Sequence, residues 1–292
     1  MRLFTEGFES GDLLFFSSSA QCTASTTTPR SGAYCLLMST SGTATKSLPA
    51  SVSQAYFRIG LRATGTGIFF RWRKGTTELG SIRLNAATRN FEIYTSTGTL
   101  VATGTVPFPS GAWASVEVYV KIADSGGEIT VRVDGTQNVT YAGDTKPGTD
   151  GDFDNVIYST TGYIFDDLAI NDTTGASDNS WCGDGKIIAL TPNANGDLSQ
   201  LTGSDGNSTD NYLLVDEVPS DGDTTYVEGS TVDQKDLYNL TASGLTGVTI
   251  KRVWAESRSR DTVAVGGLIS LLIKTNGVEY AGADRVLATS YA

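Results

Sequence analysis

The residues able to do chemistry in this chain are carboxylates, tyrosines and three thiols, because its 292 residues include no histidine. That absence removes the Ser–His–Asp and Cys–His nucleophile arrangements and the usual imidazole metal sites. Glycoside hydrolysis would need two carboxyl groups about 5–10 Å apart, one of them protonated. Glu92 and Glu117 each stand alone among residues of a polar strand face, and both are expected to be solvated. Calcium is the one cofactor left open. Asp150-x-Asp152-x-Asp154-Asn155 and the pair Asp166-Asp167 gather oxygen ligands, and Ca²⁺ takes six to eight oxygens. The first run lacks the glycine and the final glutamate of an EF-hand loop. Strand alternation would turn Asp166 and Asp167 to opposite faces, so that one of them at most could ligate. Tyr56, Tyr94 and Tyr119 fall on polar strand faces, opposite the apolar sets. Outward rings of this kind would make a shallow glycan-binding platform; cross-strand pairing and oligomer contact are the alternatives. Cys22, Cys35 and Cys182 are too few and too unevenly spaced for a disulfide framework. Cys22 and Cys35 would pair only if two strands bring them together, and buried thiols are the plainer expectation.

The elements that must position these residues are strands. In 115–122 (SVEVYVKI), Val116, Val118, Val120 and Ile122 share one face, with Glu117, Tyr119 and Lys121 opposite. In 129–134 (ITVRVD), Ile129, Val131 and Val133 oppose Thr130, Arg132 and Asp134. The Asp124-Ser125-Gly126-Gly127 turn between them predicts an antiparallel hairpin. The same period of two runs through 55–62, where Phe57, Ile59 and Leu61 oppose Tyr56, Arg58 and Arg62. It continues through 68–73, where Ile68, Phe70 and Trp72 oppose Phe69, Arg71 and Arg73, and through 91–94 and 163–171. Trp72 and Trp113 share faces with aliphatic residues and are expected in the core. Strands every 10–20 residues, separated by Gly, Thr and Asn clusters, indicate a β-sandwich rather than βαβ units.

The polar stretch 172–180 (DTTGASDNS) reads as a boundary. It predicts a β-sandwich over 1–172, a linker over 173–180 and a smaller β domain over 181–292. In the second domain, 248–256 (VTIKRVWAE) alternates until Lys251-Arg252, where a bulge would explain the slip in phase. Residues 267–274 (GLISLLIK) are apolar on nearly both faces and predict a central strand covered on both sides, or a contact between subunits. Asn276-Gly277 predicts a type I′ hairpin, and Asp210 would cap a short helix over 210–217.

Composition narrows the partners. Ser and Thr together number 68, with 33 Gly and only 18% charged residues, which excludes a coiled coil or helical repeat. The net charge of −11 comes without a basic stripe, so nucleic acid is not an expected partner. No apolar run reaches the roughly 18 residues of a membrane helix, and no signal-peptide h-region opens the chain. The expectation is a protein made in a cytoplasm, without membrane insertion.

Three short motifs give the first domain a resemblance to the concanavalin A-like, laminin-G-like jelly rolls. They are the opening 8–12 (FESGD), the strand–hairpin–strand unit of 113–122 and 129–135, and the closing 164–170 (IFDDLAI). The resemblance implies that the Asp-Asp-Leu strand pairs beside the N-terminal one. Hydrolases on that fold carry Glu-x-Asp-x-x-Glu on one strand, and no such run exists here. A narrower resemblance spans 166–240. There 166–168 (DDL), 181–184 (WCGD), 190–196 (LTPNANG), 211–217 (NYLLVDE), 221–227 (DGDTTYV) and 236–238 (DLY) are similar, in order and spacing, to tailed-bacteriophage virion proteins. It implies a non-enzymatic structural component of a virion, decorating the capsid or part of a tail appendage. Its partners would be other virion proteins and further copies of itself. The alternative is an adhesin that binds a host-surface polysaccharide through Tyr56, Tyr94 and Tyr119.

Overall fold

Alternation of apolar and polar residues accounts for most of the first 171 residues. The computed structural model describes residues 1–96, 98–146, 148–263 and 266–291. The chain divides into two units, Met1–Ala189 and Leu190–Ala292. The first contains β1 (Arg2–Glu6), β2 (Ser18–Ser25), β3 (Cys35–Val52), β4 (Gln54–Ala63), β5 (Gly67–Lys74), β6 (Thr77–Leu84) and β7 (Phe91–Thr95). It continues with β8 (Thr99–Thr103), β9 (Trp113–Lys121), β10 (Gly127–Val133), β11 (Thr136–Gly143), β12 (Phe153–Ser159) and β13 (Tyr163–Asn171). The strands foreseen at 55–62, 68–73, 91–94, 115–122, 129–134 and 163–171 coincide with β4, β5, β7, β9, β10 and β13 to within a residue or two at their ends.

One antiparallel path joins all thirteen strands, in the order β11-β10-β9-β4-β13-β3-β12-β5-β6-β7-β8, with β1 on β13 and β2 on β3. The 18-residue β3 folds this path into two layers. Its start pairs Leu36 and Leu37 with β13, while Thr43 to Val52 pair with β12. The strand changes course at Ser41, whose φ is +57°, and Gly42, where a Cβ would stand 2.4 Å from the Gln21 carbonyl oxygen. Rings from the two layers meet inside. Phe57 of β4 lies 4.9 Å from Phe70 of β5, and Tyr158 of β12 lies 5.5 Å from Phe165 of β13. Phe57, Ile59, Leu61, Val116, Val118, Val120, Ile129 and Val131 are fully buried, as their alternation required. The unit is an all-β, jelly-roll-like sandwich. β1 does pair with β13, placing Glu6 opposite Leu168.

Two tryptophans of similar pattern part company. Trp72 is fully buried. Trp113, the first residue of β9, stays half-exposed, and its Nε1 donates to the Thr28 carbonyl at 3.1 Å. A strand's first residue shares the face but not the depth of the core.

The expected linker does not separate domains. Residues 173–187 fold back over the sandwich: Asn171 Nδ2 donates to the Ser180 carbonyl at 2.8 Å, and the Gly183 amide donates to Glu117 at 2.7 Å. The Ile187 amide donates to Asp167 at 2.6 Å. The division therefore falls after Ala189 rather than across 173–180. All nine residues of β13 are buried, polar ones included.

The second unit consists of two-stranded pieces: β14 (Pro192–Ser199) with β17 (Asp236–Leu240), β15 (Thr202–Gly203) with β16 (Val227–Glu228), β18 (Leu268–Ile269) with β21 (Arg285–Val286), and β19 (Leu272–Thr275) with β20 (Val278–Ala281). The Asn276-Gly277 hairpin forms, with φ of +50° and +77° at its two turn residues. Three expectations fail. Residues 248–256 form no strand. Residues 267–274 split into β18 and β19, and none of them is buried. The foreseen helix is a single 3₁₀ turn, Asn211–Leu214. Asp210 has a left-handed φ of +58° and makes no side-chain cap, since an N-cap needs the extended region.

Candidate ligand-binding face

The three tyrosines do not share a platform. Tyr56 of β4 and Tyr119 of β9 are cross-strand partners with stacked rings 4.5 Å apart. Trp181, from the returning segment 173–187, packs edge-on against Tyr56 at 5.2 Å, and the Arg132 guanidinium sits 3.8 Å from the Trp181 ring. The Tyr119 hydroxyl donates to Gln54 at 3.0 Å, and burial, then the neighbouring Tyr56, push its phenol up to about 12. This is a half-buried aromatic stack. Tyr94 lies on β7, in the other layer. Period-two reading gives a side chain's face within its own strand and not the layer to which that strand belongs.

The acidic runs are occupied by cations of the chain. Lys74 pairs with Asp152 and stands 3.9 Å from Asp154; the Asp152 bond, with the fields of Asp152, Asp154 and Asp150, raises the Lys74 pKa against a small cost of burial. Asp166 and Asp167 are not turned apart. Asp167 has a φ of +51°, and the register slips between Asp166 and Ala169, so both carboxylates reach the segment at Arg30-Ser31. Asp166 accepts the backbone amides of Arg30 at 2.7 Å and Ser31 at 3.2 Å. Asp167 accepts Arg30 Nη1 at 2.7 Å, Ser31 Oγ at 2.6 Å and the Ile187 amide. Burial, then the adjacent Asp167, raises Asp166 to about 7. These carboxylates lock the returning segment to the sandwich. Among the described residues no three His, Cys, Asp or Glu side chains are grouped to hold a metal, so the donor set does not fit the calcium reading.

Glu92 and Glu117 are buried rather than solvated. Glu117 accepts the Gly183 amide from the covering segment. Glu92 accepts Asn85 Nδ2 at 2.7 Å and the Tyr94 hydroxyl at 3.0 Å. Cys22 and Cys35 are both free. They lie on the paired strands β2 and β3, but Cys22 is opposite Met38 and Cys35 is opposite Ser25.

The outer side of β3-β12-β5-β6-β7 presents the half-buried Arg71, Arg73 and Arg83 above the buried Ser81, Tyr94 and Glu92. Arg71, Ser81 and Tyr94 stand directly opposite one another across β5, β6 and β7. Arg71 Nη1 donates to Ser159 Oγ at 2.9 Å, and its Nε lies 3.3 Å from Glu78, which also stands 3.7 Å from Arg73. Burial lowers the Arg71 pKa, and Glu78 opposes this. The Arg83 guanidinium covers the Tyr94 ring at 3.4 Å and reaches Glu92 at 3.6 Å. Arg73 Nε and Arg83 Nε are buried donors without a hydrogen-bond partner. Beside Arg71 opens a cleft of about 210 Å³ lined by Ser41, Gly42, Thr43, Ser159, Thr160 and Thr161. Arg71 and Arg73 were legible as outward residues of one strand. Arg83, and the cleft created where β3 changes course, were not.

No family model and no curated protein matches the chain. Solved structures similar to it include an endo-β-1,4-glucuronan lyase from the fungus Trichoderma reesei, at 13% identity and a TM-score of 0.43, over 58% of this chain and 95% of that one. A carbohydrate-binding module from Bacillus subtilis is similar at 12% identity and 0.37, over 53% and 94%. A galectin from Caenorhabditis elegans is similar at 14% and 0.35, over 44% and 89%. The fold itself is read from the strand order above, and what those proteins bind stays with them.

Proposed function

We propose that this chain is a non-enzymatic surface component of a bacteriophage particle, a capsid decoration or tail appendage, whose sandwich binds a host glycan on the outer face of β3-β12-β5-β6-β7. Arg71, on the rim of a hydroxyl-lined cleft, and the half-buried Arg83 carry the binding part. A sugar offers adjacent hydroxyls that both donate and accept. The Arg71 and Arg83 guanidinium forks donate, and the Ser and Thr hydroxyls of the cleft both donate and accept, so one surface supplies both functions. The resemblance of 166–240 to virion proteins supports the setting.

Binding without turnover is favoured by the commitments of these groups. Glu78 is engaged by Arg71 and Arg73, and Glu92 by Asn85, Tyr94 and Arg83. Burial, then the bond to Glu92, raises the Tyr94 phenol, the wrong direction for a tyrosinate base.

A glycan array probed with the full chain and with an R71A/R83A variant tests the binding. Signal on a defined set of polysaccharides, reduced at least tenfold in a variant with an unchanged far-ultraviolet spectrum, is the expected result. An array silent for the full chain overturns glycan binding, and release of reducing or unsaturated ends overturns the non-enzymatic reading. Immunogold labelling of negatively stained particles tests the setting, which is overturned by unlabelled particles in a lysate containing the chain.

A further inference from the structure

The unit Leu190–Ala292 has strands but no interior. Among its described residues only Gly203 and Asn211 are buried. Every buried apolar side chain found lies between Phe4 and Ile187. Ordering a backbone costs entropy at each residue, and burial of apolar surface is the main offset. This unit lacks that offset on its own. It does not have the composition of a chain that stays unfolded, however: Val248, Ile250, Val253, Trp254, Leu268 and Val286 are large apolar residues held in water, from 37% exposed at Trp254 to 73% at Val286. Four of these six lie in 248–256, the stretch with the clearest strand alternation in this half. Among the described residues no backbone hydrogen bond joins 246–255 to another element. Unspent apolar area and an unpaired backbone therefore coincide.

Charge indicates what covers them. Residues 246–260 hold Lys251, Arg252, Arg258 and Arg260 against Glu256, a net of +3. Residues 205–236 hold nine acidic side chains against Lys235, a net of −8. The two stretches already meet once within the unit, at the 2.9 Å pair of Arg260 and Asp223. Beside the acidic stretch, β17 pairs only with β14, so its other edge is open to a further strand.

We propose that residues 246–260 of one copy add as a β-strand to the acidic 205–240 region of a second copy, making Leu190–Ala292 the self-association element of this chain. Donor and acceptor are different surfaces, so the contact is head to tail, and identical subunits add as a ring where the rotation closes and as an open filament where it does not.

Sedimentation equilibrium of the full chain, at tens of micromolar and low salt, should give a whole-number multiple of 30.8 kDa. A K251E/R252E chain and a D221K/D223K chain should each associate at least tenfold more weakly than the parent, and mixing the two should restore a complex. Hydrogen exchange covers the case in which a variant misfolds: in the unaltered protein, amides 248–255 should exchange at least tenfold more slowly when assembled than on dilution to monomer. A single-chain mass for the full protein overturns the proposal, even if another virion protein then binds it. So do charge-reversed chains that assemble like the parent, a mixture that stays dissociated, or amides 248–255 that remain unprotected in the assembly. Glycan binding by the sandwich is measured separately and is untouched by these outcomes.

Discussion

Arg30 ties the buried Asp166-Asp167 pair to the returning segment. Its side chain pairs with the fully buried Asp167 and with Asp184, and it donates to the Gly185 carbonyl at 2.8 Å. Removing one partner of a buried pair leaves the other uncompensated, which costs about 3–5 kcal/mol. R30A should lose that much in urea denaturation. K146A, which breaks an exposed pair with Asp124, should lose less than about 1 kcal/mol. Equal losses in the two variants would show that the lock at β13 is not a stabilising element. Asp166 adds a pH signature. Its pKa is raised in the folded protein from 3.8 to about 7, so the folded state holds a proton that the unfolded chain releases. The associated stability is complete below about pH 4 and fades as pH rises through about 7. Thermal melts of the parent should therefore show this loss between those limits, and D166N, which keeps the same shape without the titration, should show it flattened. Asp172 and Asp184 act in the opposite sense, being lowered by the N-terminal ammonium and by Arg30 respectively against the cost of burial. Their contribution is lost only as pH falls below the ordinary carboxylate range.

At the scale of elements, segment 173–187 decides how the sandwich presents itself. It has no strand of its own, yet it packs on Tyr56, Tyr119 and Glu117 of one layer and makes no contact with Arg71, Arg73 or Arg83 of the other. Trp181 is its main apolar contact. W181A should cost about 2 kcal/mol, less than the 3–5 of a fully buried ring. It should also speed alkylation of Cys182, whose thiol burial pushes up to about 11 and whose Sγ faces the Tyr56 carbonyl. An unchanged labelling rate would mean that Trp181 does not hold the segment down. This segment also marks what could be read from residues alone. Strands and their core faces were legible because period two is a local property, and β4, β9 and β10 obey it residue by residue. The polar DTTGASDNS stretch looked like a linker because nothing local distinguishes a solvated loop from one whose partners lie far along the chain. Asn171, Asp167 and Glu117 supply those partners, the last of them 66 residues from Gly183. Burial of Glu92 and Glu117, the convergence of Asp166 and Asp167, and the separation of Tyr94 from the other two tyrosines all follow from layer assignment and from one bulge, neither of which leaves a local mark.

At the scale of the molecule, the two units differ in what can hold them. Met1–Ala189 carries the entire buried apolar set found, from Phe4 to Ile187. It should unfold as one cooperative transition whose midpoint is independent of protein concentration. Among its described residues Leu190–Ala292 carries almost no buried one; in the proposed assembly its order is drawn from association, which enters stability by mass action. Calorimetry of the full chain should therefore resolve two events. The sandwich transition should stay fixed when concentration is raised a hundredfold. The other should move upward by several degrees, because a bound partner at 100 times its dissociation constant contributes about 2.7 kcal/mol. High salt should lower the second event and leave the first in place, since the +3 and −8 stretches lie at the surface, where ions screen them. A second event that ignores both concentration and salt would require an interior that residues 190–292 do not show.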